Sequence, residues 1–112
     1  MSTMSQDPEM IMRGGTVMAI AAVWDFPGRT PEQYEEVFKL GGEPIHHQPN
    51  RLSHVCYRTG TGIRVVDVWR DEQSFAAFGA VLGPAVTAAG LDAPPEIFEV
   101  HGFMAADGLR NP

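Results

Sequence analysis

The pattern of apolar and polar residues along this chain predicts four strands. Residues 17–24 are almost wholly apolar, which is typical of a central strand covered on both faces. Residues 52–59 and 63–70 alternate with a period of two, and the Thr-Gly-Thr-Gly segment at 59–62 joins them as a hairpin. Residues 96–104 form the last predicted strand, so the pattern favours a protein built around a sheet.

A helix is predicted between the first and second strands. Thr30 can cap it, Pro31 suits its first position, and Gln33 completes a capping box. The glycine pair at 41–42 supplies a stop, and residues 43–50, with two prolines and two histidines, are predicted to form a loop. The apolar face of this helix carries Tyr34, Val37 and Phe38.

A second helix is predicted after the third strand. Asp71 can cap it, and apolar residues at three- and four-residue spacing continue to Leu82. The pair Gly83-Pro84 is expected to interrupt it, because proline has no N–H to donate, and a short continuation ends at Gly90. The order of elements is therefore β-α-β-β-α-β.

This order predicts an α+β, ferredoxin-like domain over residues 16–104. Right-handed crossovers give a four-stranded antiparallel sheet in the order 4-1-3-2, with both helices on one face. The other face is too apolar to be left in water, so we expect a two-fold homodimer in which two sheets pair face to face. Residues 1–15 are predicted to be a flexible arm and residues 105–112 a frayed tail.

Composition narrows the possible partners. Eight basic residues against fourteen acidic ones give a net charge of -6, which makes nucleic acid a poor partner. Cys56 is the only cysteine, so no intramolecular disulfide can form, and a reducing interior suits the chain. The longest apolar run is too short to cross a bilayer and no signal peptide is evident, so we expect a cytoplasmic protein with no membrane partner.

The hairpin places two chemically complementary residues together. If Thr59 pairs with Gly62, paired residue numbers sum to 121, and His54 lies opposite Asp67. Cross-strand Cβ atoms are about 4.5 to 5.5 Å apart, close enough for a carboxylate to hold one imidazole nitrogen and leave the other as a general base. The alternative is a structural pair that satisfies two half-buried polar groups.

Several aromatic residues are candidates for the wall of a pocket between the sheet and the helices. Flat apolar ligands fit such walls, although aromatic residues at these positions are also ordinary core residues. The candidates are Trp24, Trp69, Tyr34, Phe75 and Phe78.

The remaining histidines and the cysteine carry weaker signals. His101 is a candidate second acid or base on the last strand, or a satisfied core residue. His46 and His47 are placed to act as a lid or to cover a dimer edge, and adjacent side chains diverge too much to share a metal. Cys56 lies mid-strand, where a thiol usually behaves as a small hydrophobe. His101 is expected three strand spacings from His54, roughly 14 Å, so no metal site within one subunit is predicted. A metal site that His54 and Cys56 complete with the partner chain is the weaker alternative.

The segment at 67–75, Asp-Val-Trp-Arg-Asp-Glu-Gln-Ser-Phe, resembles the strand end and helix start of the dimeric α/β-barrel superfamily, particularly its antibiotic-biosynthesis monooxygenase-like proteins. The resemblance covers residues 16–104. It implies a fold shared by cofactor-independent monooxygenases of aromatic polyketides, haem-degrading enzymes, small cyclases and isomerases. Phe78 stands where many members place a histidine, and it cannot ligate haem iron.

Together these signals favour a cofactor-independent enzyme that acts on a hydrophobic, ketide-like or phenolic molecule. In this hypothesis His54, oriented by Asp67, abstracts a proton, and the resulting anion cyclises, isomerises or meets dioxygen. No cofactor is expected. The alternatives are a non-catalytic dimeric protein that binds an apolar ligand in the same pocket, and a haem-binding protein that uses another histidine.

Overall fold

A computed structural model describes residues 18–105 and 108–110 of the chain. The predicted arm at 1–15 lies outside the described residues. The elements are β1 (Ile20–Pro27), α1 (Pro31–Gly41), α2 (Glu43–His46), β2 (Arg51–Arg58), β3 (Gly62–Trp69), α3 (Glu72–Ala89), β4 (Glu96–Glu99), β5 (Phe103–Ala105) and β6 (Gly108–Arg110). In the described part of the chain, no helix is both long enough and apolar enough to cross a membrane.

The main sheet has four antiparallel strands in the order β2-β3-β1-β4. This is the predicted order, counted from the opposite edge, so the ferredoxin-like α+β fold is confirmed. Alternate residues of β1 and β3 are buried beneath α1 and α3, because the side chains of a strand point to opposite faces in turn. The core therefore lies between one face of the sheet and the helices.

The predicted capping box at the start of α1 is present. The Gln33 N–H donates to the Thr30 hydroxyl at 3.2 Å, and the Thr30 N–H donates to the Gln33 side-chain oxygen at 3.0 Å. The Gln33 amide also donates to the Ala89 carbonyl at 3.3 Å. One side chain thus starts α1 and joins it to the end of α3.

The β2-β3 hairpin has the predicted register over most of its length. Arg58 pairs with Ile63 and His54 with Asp67, so their numbers sum to 121. A β-bulge between Arg51 and Ser53 then shifts the register by one residue, and Arg51 pairs with Trp69. Because a one-residue shift reverses the facing of a side chain, the bulge places Arg51 on the helix-covered face beside Trp69.

Two predictions about the helical segments need correction. The expected loop at 43–50 begins with the short helix α2, since Pro44 lies at a first-turn position where a missing N–H costs nothing. The expected interruption at Gly83-Pro84 is absent, and α3 continues through Pro84 to Ala89. Burial of Ala85 beyond the proline packs this last turn against the core, and tertiary packing of this kind offsets the lost hydrogen bond.

The last predicted strand, residues 96–104, is divided in the structure. Four residues of β4 pair with β1, and Val100 then donates one further hydrogen bond, to the Ala19 carbonyl. After a bend at His101, β5 leaves the sheet and pairs with β6 as a separate hairpin. The segment predicted as a frayed tail therefore supplies backbone partners for β5.

The face of the sheet that the helices do not cover is largely apolar. Val55, Tyr57 and Phe98 on this face are each about half exposed, and Val66 and Val68 lie between them. An apolar face of this extent is a common sign of an interaction surface.

Candidate active site

His54 and Asp67 form the predicted pair on the helix-covered face of the sheet. The Nδ1 atom of His54 lies 2.5 Å from Oδ1 of Asp67. The Asp67 side chain is 3% exposed and the His54 side chain is 24% exposed, so the carboxylate is enclosed while the imidazole reaches the edge of the core. The pairing predicted from the hairpin register is confirmed, and its chemical role is a proposal.

Trp69 fixes the second oxygen of the carboxylate. Its indole N–H donates to Oδ2 of Asp67 at 3.2 Å, and the indole ring is fully buried. Each carboxylate oxygen therefore has a hydrogen-bond partner, which offsets the cost of burying a charged group. The prediction that Trp69 only shapes a wall missed this hydrogen bond.

Tyr34 contacts the imidazole nitrogen that was expected to be free for use as a general base. Its hydroxyl oxygen lies 2.6 Å from Nε2 of His54. An ionised Asp67 can only accept, so we assign the proton of neutral His54 to Nδ1, and the Tyr34 hydroxyl then donates to Nε2. The result is a continuous chain of hydrogen bonds from the Tyr34 hydroxyl through His54 to Asp67, which we call the Tyr-His-Asp chain.

The environment of the Tyr34 hydroxyl keeps it protonated. Burial raises the pKa of Tyr34 from 10.0 to about 12, and the nearby Cys56 and Asp67 add to the shift, while the positive charge of Arg51 opposes it. At neutral pH the phenol is therefore a hydrogen-bond donor.

A titration of the Tyr57→Phe protein, in which Tyr34 is the only tyrosine, tests this assignment. We expect the ultraviolet signal of phenolate to appear near pH 12 rather than 10. The unfolded chain loses this proton first, so the contribution of Tyr34 to stability is full below pH 10 and is lost as the pH rises to about 12. Ionisation near pH 10 in a protein that is still folded by circular dichroism would contradict the assignment.

An apolar cavity of about 50 Å³ lies beside the Tyr-His-Asp chain. This is space for roughly four water molecules, about the size of one aromatic ring. Three of the aromatic candidates, Trp24, Tyr34 and Phe78, line it. Phe75 and Trp69 lie behind this lining, where Trp69 packs on Phe78 at 4.9 Å and Phe75 contacts Trp24 at 5.8 Å between ring centroids.

An open groove of about 470 Å³ lies outside the cavity, against α1 and α2. Four residues border both spaces: Tyr34, Phe38, Arg51 and His54. The imidazole therefore lies at the boundary between an apolar interior and a wide entrance. Phe38 and Arg51 are the border residues that were not among the predicted site residues. Arg51 was missed because the register sum places it on the other face of the sheet.

The other sequence candidates lie away from this boundary or have weaker roles. His101 is exposed in the bend after β4, at the edge of the sheet opposite His54, and it does not line the cavity. His46 borders the groove and packs on Phe38, whereas His47 is exposed and contacts Glu43 at 2.7 Å.

Burial raises the pKa of the Cys56 thiol. Among the described residues no three His, Cys, Asp or Glu side chains are grouped to hold a metal.

No protein-family model and no curated protein matches the chain. Among solved structures it is similar to SnoaB, a cofactor-independent oxygenase from Streptomyces nogalater, with 19% identity, a TM-score of 0.50, and coverage of 80% of this chain and 95% of SnoaB. The two chains share a fold. The resemblance predicted from residues 67–75 is thus confirmed at the level of the fold. A conserved protein from Methanosarcina mazei Go1 is also similar, with 20% identity, coverage of 75% and 92% of the two chains and a TM-score of 0.49.

Proposed function

We propose that the protein is a cofactor-independent enzyme that uses His54 as a general base on a hydrophobic, ketide-like or phenolic molecule. The observation that carries the proposal is the Tyr-His-Asp chain at the boundary between the cavity and the groove. A base works best when its orientation and tautomer are fixed and its reactive nitrogen meets the substrate. The oxygenase activity named for SnoaB, which shares the fold, is compatible with this chemistry.

The mechanism begins with exchange of partners at His54. The substrate places its acidic C–H or O–H at Nε2 and displaces the Tyr34 hydroxyl. His54 takes the proton, and the buried carboxylate of Asp67 stabilises the imidazolium that forms. The displaced phenol, kept protonated by its raised pKa, donates to the oxygen on which negative charge develops.

The fate of the anion defines the reaction class. An enolate or phenolate can close a ring, accept a proton at another carbon, or react with dioxygen, and each route needs the same base and the same apolar enclosure. Proton abstraction is the step they share, so it is the step to measure first.

Proton abstraction is tested by incubating the protein in D₂O with a panel of aryl β-ketoesters and hydroxyaryl ketones. We expect exchange of the acidic C–H proton, followed by NMR, to be faster than in buffer for at least one compound. Dioxygen consumption, measured separately with an electrode, distinguishes oxygenation from cyclisation or isomerisation. Binding of a compound without exchange or conversion would contradict the enzyme and favour the non-catalytic binding protein.

We further propose that two copies of the chain pair through the uncovered face of the sheet. Apolar side chains dominate this face, and at its polar end Arg64 contacts both carboxylate oxygens of Asp25 at 3.0 and 3.2 Å. The ion pair lowers the cost of burying charge in the interface. The dimer would leave both active sites open, because they lie on the helix-covered side.

Val66→Asp is expected to break this dimer, because it puts a charge in the middle of the apolar face. Sedimentation equilibrium should give twice the subunit mass of 12.2 kDa for the wild type and the mass of one subunit for the variant. Val81→Asp, at an exposed position of α3, is the matched control and should remain dimeric. A monomeric wild type would refute the dimer without affecting the proposed chemistry.

A further inference from the structure

Arg51 is turned into the site by an irregularity of the sheet. Without the β-bulge at Arg51/Ser53, its side chain would share the uncovered face with Val55 and Tyr57. With the bulge, the guanidinium carbon lies 5.6 Å from the ring centre of Phe78 and 6.0 Å from that of Trp69. Bulges near active sites commonly serve to re-aim one side chain, and here the residue that is re-aimed is a cation.

The guanidinium of Arg51 has N–H donors that make no hydrogen bond to the described residues. One of its nitrogens donates to the His46 carbonyl at 2.7 Å. Among the described residues no carboxylate lies within 4.0 Å of it, and the other hydrogen bonds that its five N–H groups can make find no partner there. A half-buried cation on aromatic rings, beside a cavity, is therefore placed to bind an anion.

We infer that Arg51 forms a carboxylate subsite, so that the ligand is a small aromatic or ketide acid. That such an acid is a substrate rests on the proposed function, whereas its binding at Arg51 does not. Arg51 and His54 border the same cavity and the same groove. A carboxylate held by Arg51 at the entrance leaves the apolar part of the ligand in the cavity, next to the imidazole, because guanidinium recognises planar carboxylates with paired hydrogen bonds.

The charges around the groove favour a ligand with a single negative charge. Among the described residues, Arg51 is the only Lys or Arg that lines either the cavity or the groove, and Glu35 lines the groove as well. The net charge of -6 repels polyanions. A phosphate ester or a nucleotide would therefore meet one cation and an unfavourable field, whereas a monocarboxylate is matched by Arg51 alone.

Benzoate and benzamide are the probes, since they have nearly the same shape and differ in charge. Binding is followed in ¹H-¹⁵N NMR spectra through the indole N–H signals of the two tryptophans, of which Trp24 lines the cavity. We expect the wild type to bind benzoate about tenfold more tightly than benzamide, and added salt to reduce this preference. Arg51→Gln should remove the preference by weakening benzoate alone, and Arg51→Lys should retain part of it.

Arg58→Gln is the matched control, because Arg58 lies at the other end of β2, is exposed and lines neither space. It should leave both affinities unchanged. Equal affinity of the wild type for the two probes, binding of neither at millimolar concentration, or an equal loss from Arg58→Gln would overturn the subsite. The comparison of benzoate with benzamide on the wild type tests the subsite even if a variant fails to fold.

The outcomes separate the subsite from the proposed reaction. Arg51-dependent binding of benzoate by a protein that never exchanges substrate protons would support the subsite and count against the enzyme. Proton exchange on neutral ketones, without any preference for benzoate, would support the enzyme and refute the subsite.

Discussion

Trp69→Ala is expected to lower the free energy of unfolding by about 4 kcal/mol, the largest loss of stability we predict for any single substitution in this chain. The ring is fully buried and packs against Phe78 and Phe75 at centroid distances of 4.9 and 5.9 Å. Truncation leaves a large cavity and removes the indole donor from Asp67. Urea denaturation measures the change, provided that unfolding is two-state.

Trp69→Phe separates packing from hydrogen bonding. It keeps an aromatic ring but leaves Oδ2 of the buried Asp67 without the indole donor, which adds a penalty of about 1 to 3 kcal/mol. Trp24→Phe is the matched control, since it shrinks a buried tryptophan on the same face of the sheet without removing a donor from Asp67. Equal destabilisation by the two phenylalanine variants would show that the indole hydrogen bond contributes nothing.

His54→Ala is expected to slow proton abstraction by a factor on the order of 10² to 10⁴, the usual contribution of a positioned general base. The loss should appear in deuterium exchange and in product formation alike, because both follow the same step. Part of the stability is lost too, since the variant leaves Asp67 and the Tyr34 hydroxyl without a partner. Circular dichroism and thermal unfolding must therefore accompany the rate measurement.

Two further variants define the role of His54. Asp67→Asn should reduce the rate without abolishing it, because an amide still fills the space but no longer stabilises an imidazolium. His47→Ala, at an exposed histidine outside the cavity, serves as the control for removal of an imidazole and should keep the wild-type rate. Wild-type turnover by a folded His54→Ala protein would end the general-base proposal while leaving the fold intact.

The parts of the site that sequence reasoning found are those governed by local rules. A two-residue hairpin turn fixes which residues face one another, and this suffices to pair His54 with Asp67. The caps at Thr30 and Asp71 are equally local, since each accepts a hydrogen bond from an N–H three residues along the chain. Strand order followed from the handedness of crossovers, a rule that needs no knowledge of side chains.

What the sequence missed depends on contacts between distant segments. The hydrogen bond from Tyr34 to His54 exists because α1 docks over β2 at one particular height, and no spacing within either segment reports that height. The bulge at Arg51/Ser53 breaks a register that is regular from residue 53 to residue 58. Residues 51–53 contain no sequence signal that predicts a bulge. The continuity of α3 through Pro84 likewise reflects packing on the core, which overrides the local preference.

The indole hydrogen bond to Asp67 has a consequence for anyone who redesigns this protein. Filling cavities in the interior is a common way to raise stability, and its recurrent cost is lost function. Here the residue at the centre of the interior also sets the position of the carboxylate that orients His54. A library that varies the neighbours of Trp69 would therefore change the proposed activity as well as stability, and the two properties would have to be selected together.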